Sequence, residues 1–256
     1  MEIDGMNAIV TGSGKGIGRE IALHLAASGA SVAVADIDLV AAEAVAQEIQ
    51  GRGGRALPIH VDVSNSQQVG AMVSETLDTF GSIDILVNNA GIGLNALVVE
   101  TSDEDLDRVL GVNLKGQFLC SRETAKAMIR QGKGGRIVNI SSSAGDNARV
   151  EGGAYCASKA GVIQLTKVLS LELGQHGINV NAVSPGLTDT VAGPNVSATK
   201  AYREAFLSQV CLGRAAQPAD IAQAVLFLAS PQSSYITGEV IHVDGGYAAG
   251  KLTVRR

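Results

Sequence analysis

A phenol and an ammonium group stand four residues apart in Tyr155-Cys156-Ala157-Ser158-Lys159. On a helix this spacing puts both side chains on one face, with Cβ atoms about 5–6 Å apart. A free tyrosine titrates near pH ~10, too high for a base at neutrality, but a neighbouring cation favours the phenolate. Such a group can take the proton of an alcohol or return it to a carbonyl oxygen. The pair is common on ordinary helices and gains weight only from its surroundings. Ser141-Ser142-Ser143 stands upstream, at the end of the apolar run Arg136 to Ile140. A hydroxyl there can hold a substrate oxygen beside the phenol, or it can cap a helix or turn.

The second chemical group is Thr11-Gly12-Ser13-Gly14-Lys15-Gly16-Ile17-Gly18, where the first apolar run gives way to a helical pattern. Glycines at such a junction let the backbone approach a pyrophosphate, and the helix N-terminus offers free N–H groups and the positive end of its dipole. Glycine-rich turns also close ordinary strand–helix units, so the motif alone leaves both options open. Asp36 ends the next apolar run, 18 residues beyond Gly18. A carboxylate there accepts hydrogen bonds from an adenosine ribose and repels a 2′-phosphate. Lys15, inside the turn, would attract that phosphate. Close-range repulsion in a crevice outweighs a flexible lysine, so NAD is the expected cofactor, with NADP the weaker alternative. Asp62-Val63 and Asn89-Ala90-Gly91 end the third and fourth apolar runs, at the sheet edge where open α/β proteins bind ligands.

The elements that must position these groups alternate along the chain. Short β-branched runs at Ala8–Val10, Ser31–Ala35, Leu57–Val61, Ile83–Val87, Arg136–Ile140, Ile178–Val183 and Glu239–Val243 read as strands. Between them, helical patterns cover Gly16–Ser28, Leu39–Gln50, Gln67–Phe80, one long stretch Asp103–Arg130, Tyr155–Gly174 and Pro218–Ala229. Apolar strands each followed by a helix indicate a parallel sheet covered on both faces. The expected fold is therefore α/β: one doubly wound, seven-stranded parallel sheet of the Rossmann type, in a single domain over residues 1–256. Leu187 to Gln217 lacks strand character and contains Gly193, Pro194 and a polar helical stretch, Ala198 to Gln209. It reads as a mobile lid over a site.

Composition removes several function classes. The formal net charge is -5, which offers no basic stripe for nucleic acid. No apolar run approaches the roughly 18 residues of a membrane span, and Met1-Glu2-Ile3-Asp4 is acidic where a secretory signal would be basic. Cys120, Cys156 and Cys211 are scattered, as are His24, His60, His176 and His242. The cysteines fit buried small hydrophobes in a reducing, cytoplasmic setting better than a disulfide frame, and the isolated histidines give no metal site.

Taken together, Thr11-Gly12…Gly16-Ile17-Gly18, Asn88-Asn89-Ala90-Gly91, Asn113, Ser142, Tyr155 with Lys159, and Pro185-Gly186 with Thr190 resemble the short-chain dehydrogenase/reductases in their single-domain form. The resemblance spans essentially the whole chain, in the family's order and spacing. It implies Tyr155 as the acid/base, Lys159 as its tuner and a ligand of the nicotinamide ribose, and Ser142, rather than its neighbours, as the substrate-orienting hydroxyl. It also implies that Asn113 belongs to a proton relay; spacing alone would not have selected it. Gly12, Ser13, Lys15, Gly16, Ile17 and Gly18 match the pyrophosphate turn, and Asp36 the ribose contact. Asp62 and Val63 match adenine contacts, and Asn89, Ala90 and Gly91 the strand edge beneath the cofactor. Pro185, Gly186, Thr188 and Thr190 match the segment that fixes the carboxamide. The same resemblance implies a homotetramer formed through the two long helices and the C-terminal strand region.

The substrate is less legible. The residues expected to line its pocket are Ile92, Leu94 and Asn95, the stretch Gly145 to Gly153, and the lid from Val191. Asp146-Asn147-Ala148-Arg149-Val150-Glu151 is too polar for a steroid or long acyl chain. A small polar alcohol, polyol or hydroxy acid is expected, with Arg149 able to meet a carboxylate, or else an exposed loop that never sees substrate. Two alternatives stand beside this. One is an NADPH-dependent 3-oxoacyl-carrier-protein reductase, for which Lys133 and His176 would be a partial basic pair. The other is a non-catalytic dinucleotide-binding regulatory protein.

Overall fold

Alternate residues of each central strand are buried on opposite faces, so both faces need a cover. Ala8 and Val10 pack into one apolar cluster while Ile9 packs into the other, and Ile85 and Val87 oppose Leu86 in the same way. A computed structural model describes residues 3–190 and 200–252 of the chain. Its strands are β1 (Asn7–Thr11), β2 (Ser31–Asp36), β3 (Ala56–His60), β4 (Ile85–Asn88), β5 (Gly135–Ile140), β6 (Ile178–Pro185) and β7 (Val240–Val243). All pair in parallel, in the order β3-β2-β1-β4-β5-β6-β7. The helices are α1 (Gly16–Ala27), α2 (Leu39–Gly51), α3 (Ser66–Phe80), α4 (Asp103–Leu110), α5 (Gly116–Gln131), α6 (Gly153–Leu173), α7 (Lys200–Leu207) and α8 (Pro218–Ala229). One core cluster lies beneath α1, α2 and α8, the other beneath α3, α5 and α6.

This is the doubly wound seven-stranded sheet expected from the alternation of runs. Because β1 has β2 on one side and β4 on the other, the winding reverses between β1 and β4, which opens a crevice at their carboxyl ends. Among the described residues no helix is long and apolar enough to cross a membrane.

Two expectations are corrected. The single helix over 103–130 is instead α4 and α5 joined by a π-helical turn, Gly111–Lys115. The cysteines are not uniformly buried: Cys120 is, and burial pushes its thiol up to about 12, but Cys156 is half-buried and Cys211 exposed. In the stretch read as a lid, 191–199 lie outside the described residues, and the helical part is α7. The two ends of that stretch are tied together. Asp189 N donates to Ala216 O at 2.8 Å and Ala216 N to Leu187 O at 2.8 Å. Arg203 on α7 pairs with the Asp189 carboxylate.

Candidate active site

The glycine turn closes the crevice at the end of β1. Gly12 and Gly16 have φ of +63° and +58°, a region that disfavours side chains. A Cβ on Gly18 would lie 2.2 Å from Gly12 O and 2.3 Å from Asn89 Nδ2, so α1 reaches the turn only through a glycine. Asn89 supplies the other half of the brace, its Nδ2 donating to Thr11 O at 3.0 Å and Gly12 O at 2.8 Å. Ser13 is buried, its hydroxyl donating to Val10 O at 2.7 Å and its amide to Ala35 O at 3.2 Å, so both of its donors brace the turn.

Lys15 is exposed and no side chain caps the first turn of α1. These amides and the positive dipole end suit a pyrophosphate. The residues present therefore fit a dinucleotide. Asp36 is 7% exposed, with Oδ2 accepting from Gly14 N at 2.8 Å and Oδ1 from Asp38 N at 3.0 Å. It shapes the turn and still carries free lone pairs. Asp62 accepts from the Ser64 amide and hydroxyl through one oxygen, and Val63 packs on Gly116. Beyond β6, Gly186 lies against Asp244, the Thr188 hydroxyl donates to Gly186 O at 3.2 Å, and the Thr190 methyl lies over Gly16. The segment after Pro185 thus returns to the glycine turn.

The chemical residues meet one strand further along. Ser141 spends its hydroxyl on Lys159 O at 3.0 Å and Ser143 is buried. Ser142 is the partly exposed hydroxyl of the three and lies beside Tyr155. Lys159 is 4% exposed and donates from Nζ to Ile140 O at 2.9 Å. No charge offsets its desolvation, and burial pushes its ammonium down to about 8. Its Nζ lies 5.9 Å from the Tyr155 ring centroid. Burial opposes the effect of a neighbouring cation at the phenol. Burial raises the Tyr155 phenol above its ordinary value, and only the Ser142 hydroxyl and the Arg149 charge pull it back.

Asn113 is fully buried in the π-helical turn. Its Oδ1 accepts from Ile92 N at 2.8 Å, and its Nδ2 donates to Ile92 O at 2.9 Å and Ser158 Oγ at 3.0 Å. It clamps the segment after β4 to α6 one residue from Lys159. A Cβ on Gly91 would sit 3.3 Å from Asn113 Oδ1 and 3.5 Å from Lys159 Nζ, so both groups border the bare face of that glycine. Asn113→Ala leaves two partly buried backbone groups of Ile92 unmet, so urea denaturation is expected to show a loss of about 1–3 kcal/mol. A loss below about 0.5 kcal/mol would remove this clamp.

A family model described as enoyl-(acyl carrier protein) reductase matches residues 12–248. The sorbitol dehydrogenase of Cereibacter sphaeroides is 41% identical, covering 96% of this chain and 98% of its own. The 3-oxoacyl-[acyl-carrier-protein] reductase FabG of Staphylococcus aureus is 43% identical, covering 94% and 97%. A solved short-chain type dehydrogenase/reductase from Mycobacterium marinum superposes with a TM-score of 0.91 at 39% identity, over 97% of this chain and 98% of that one. The chain belongs to the short-chain dehydrogenase/reductase family. As a member it is an oxidoreductase that acts on CH–OH or carbonyl groups with a nicotinamide dinucleotide.

Within this short-chain dehydrogenase/reductase site, the roles of two sets of residues were not foreseen from the sequence. Gln117 Nε2 donates at 3.1 Å to Ile140 O, the carbonyl that also receives Lys159, so it helps to fix the ammonium. Asn88 bonds Asn139 and Ser121, and Asn139 bonds Thr166, which locks β4, β5, α5 and α6 beneath the site. Asparagines inside two apolar runs that pair in register were the available signal.

Proposed function

We propose that this protein is an NAD-dependent dehydrogenase that oxidises a small secondary alcohol, polyol or hydroxy acid at its carbinol carbon. Asp36 is the observation that carries the choice of NAD. A buried carboxylate on the rim of the glycine turn accepts from ribose hydroxyls and repels a 2′-phosphate. Gly12, Ser13, Lys15, Gly16, Ile17 and Gly18 would hold the pyrophosphate, with Asp62 and Val63 at the adenine. Asn89, Ala90 and Gly91 would floor the crevice, and Pro185, Gly186, Thr188 and Thr190 would hold the carboxamide. When bound, the nicotinamide supplies the hydride acceptor and, in its oxidised form, a positive ring that favours a phenolate.

The Ser142 hydroxyl holds the substrate oxygen, and Tyr155 Oη takes the carbinol proton. The Lys159 ammonium lends positive charge to the phenol and a donor to the nicotinamide ribose, while Asn113 fixes the wall that faces both. Segment 187–217 serves as the substrate lid. Exposed Phe118 on α5 and Val168 and Leu171 on α6 support assembly of a homotetramer through those helices, and the free thiols support a reducing, cytoplasmic compartment.

Steady-state kinetics with both dinucleotides test the choice of cofactor. The wild type is expected to favour NAD by roughly tenfold or more in kcat/KM, and Asp36→Ala to bring the two near parity. An unchanged ratio in the variant would remove the ribose assignment. The 3-oxoacyl-carrier-protein reductase relatives and Lys15 support the second reading, an NADPH-linked acyl reductase whose exposed Lys133 and His176 would face an acidic carrier. A sharp preference for NADPH with an acetoacetyl thioester would select it.

A further inference from the structure

An arginine stands over the phenol proposed as the proton acceptor, and among the described residues it has no acid to pair with. Arg149 Cζ lies 5.8 Å from the Tyr155 ring centroid, and its charge acts on that phenol. The side chain is half-buried, and among the described residues it forms no ion pair. Its Nη1 donates to Asn95 Oδ1 at 2.6 Å. The accepting amide belongs to the loop that follows Gly91. One amide oxygen cannot use the five N–H donors of a guanidinium or neutralise its charge.

The backbone around Arg149 is held for this pose. Glu151 is the non-glycine residue with positive φ among the described residues, at +61°, a conformation that persists only where its surroundings enforce it. With that turn made, Glu151 O accepts from Ala96 N at 3.1 Å, and Gly152 forms a bridge with Ala96. Gly152 N also donates to Arg149 O at 3.1 Å. A Cβ on Gly152 would lie 2.8 Å from Arg149 Cγ and 2.7 Å from Cys156 Sγ. The two loops are thus zipped together beside Tyr155, with Asn95 and Arg149 facing across them.

Aromatic side chains close the same space. Phe206 of α7 stacks on Tyr247 with ring centroids 4.3 Å apart, and Tyr202 sits 6.2 Å from Phe206. Tyr202, Cys156 and Arg149 all act electrostatically on both Tyr155 and Tyr247. The chain has four tyrosines in all, and three of them, Tyr155, Tyr202 and Tyr247, gather here.

We infer that Arg149, steadied by Asn95, is the anchor for a carboxylate, and that the substrate class is a short hydroxy acid with its carboxylate close to the carbinol carbon. A guanidinium fork with one end held by an amide still presents a planar pair of donors, which suits the two oxygens of a carboxylate. A single cation balances a monoanion better than the dianion of a phosphate ester. This inference rests on the dehydrogenase reading above and narrows its substrate.

The test uses pairs that differ only at the anionic end: 3-hydroxybutyrate against butane-1,3-diol, and lactate against propane-1,2-diol, each as both enantiomers with NAD. A third arm uses glycerol 3-phosphate. The wild type is expected to favour the acid of at least one pair by about 30-fold or more in kcat/KM, mainly through KM. Arg149→Gln should erase that preference, bringing the acid-to-diol ratio of kcat/KM to within about threefold of one, and Arg149→Lys should restore part of it. Because loss of the charge also alters the Tyr155 phenol, the acid-to-diol ratio is the deciding quantity. Equal losses on acid and diol, or no preference in the wild type, would overturn the anchor, and a preference for glycerol 3-phosphate would overturn the carboxylate. NAD-linked oxidation of neutral polyols alone would end this inference and leave the dehydrogenase reading standing. NADPH-linked thioester reduction with no NAD-linked oxidation would end both.

Discussion

Tyr155→Phe is expected to lower kcat/KM for alcohol oxidation by about a thousandfold, within the range for removal of a positioned acid/base. The variant keeps the ring, its packing and its place on α6, and loses one hydroxyl. Its thermal midpoint should therefore stay within about 2 °C of the wild type, and calorimetry should find NAD binding unchanged within about threefold. The pH profile is the sharper signature. Oxidation needs the ionised phenol, so wild-type kcat/KM should rise with pH up to the apparent pKa of this group in the working enzyme. Burial pushes this phenol above its ordinary value, so the full complement of positive charge is needed to bring it within reach. In Tyr155→Phe the rising limb should disappear. Unchanged turnover, or a retained limb at lower amplitude, would assign the proton to another group.

Lys159→Met is expected to reduce turnover by about a hundredfold or more while making the protein harder to melt. Function and stability conflict at this residue. The amine is buried with one carbonyl partner, and its folded-state value is about 8 against an ordinary 10.5. Below pH 8 the amine is charged in both the folded and the unfolded chain, and the burial cost is fully present. Between 8 and 10.5 the unfolded chain holds the extra proton, so stability rises with pH, and above 10.5 the cost is gone. The shift corresponds to roughly 3 kcal/mol at neutral pH. Methionine fills similar space without charge, and Ile140 O keeps its bond from Gln117. A midpoint several degrees higher at pH 7 is expected, with the advantage shrinking as the pH approaches 10. A lower midpoint, with activity lost in proportion to folded protein, would make Lys159 a structural residue.

The parts of this site that were legible in the sequence are those set by local geometry. Tyr155 and Lys159 share a face because they lie four apart on α6, and the glycine turn announces itself because close backbone approach excludes side chains over a few consecutive residues. The alternation of apolar runs with helical patterns was enough for the sheet, because both faces of β1, β4 and β5 need apolar cover. What escaped depends on contacts between distant segments. The π-helical turn at Gly111–Lys115 exists because Asn113 reaches Ile92 and Ser158, and nothing in a 3.6-residue period foretells it. Gly116, where α5 begins, would meet Val63 Cγ2 at 2.7 Å with a Cβ added, so the two glycines flanking Asn113 were a faint local trace. The Lys159 ammonium points at Ile140 O rather than at the phenol, which follows from where β5 ends beneath α6. Asp36 was read as a ribose contact, and its bond to Gly14 N shows that it also builds the turn. Arg149 was one charge in a polar loop until Asn95 and Glu151 placed it over Tyr155.

The most direct test of the account is parallel turnover with NAD and NADP, across small secondary alcohols, polyols, hydroxy acids and an acetoacetyl thioester, for the wild type and Tyr155→Phe. The account predicts NAD-linked oxidation of a small alcohol or hydroxy acid by the wild type and its near-complete loss in the variant. NADPH-linked reduction of the thioester as the dominant activity, or turnover that survives the loss of the phenol, would contradict it.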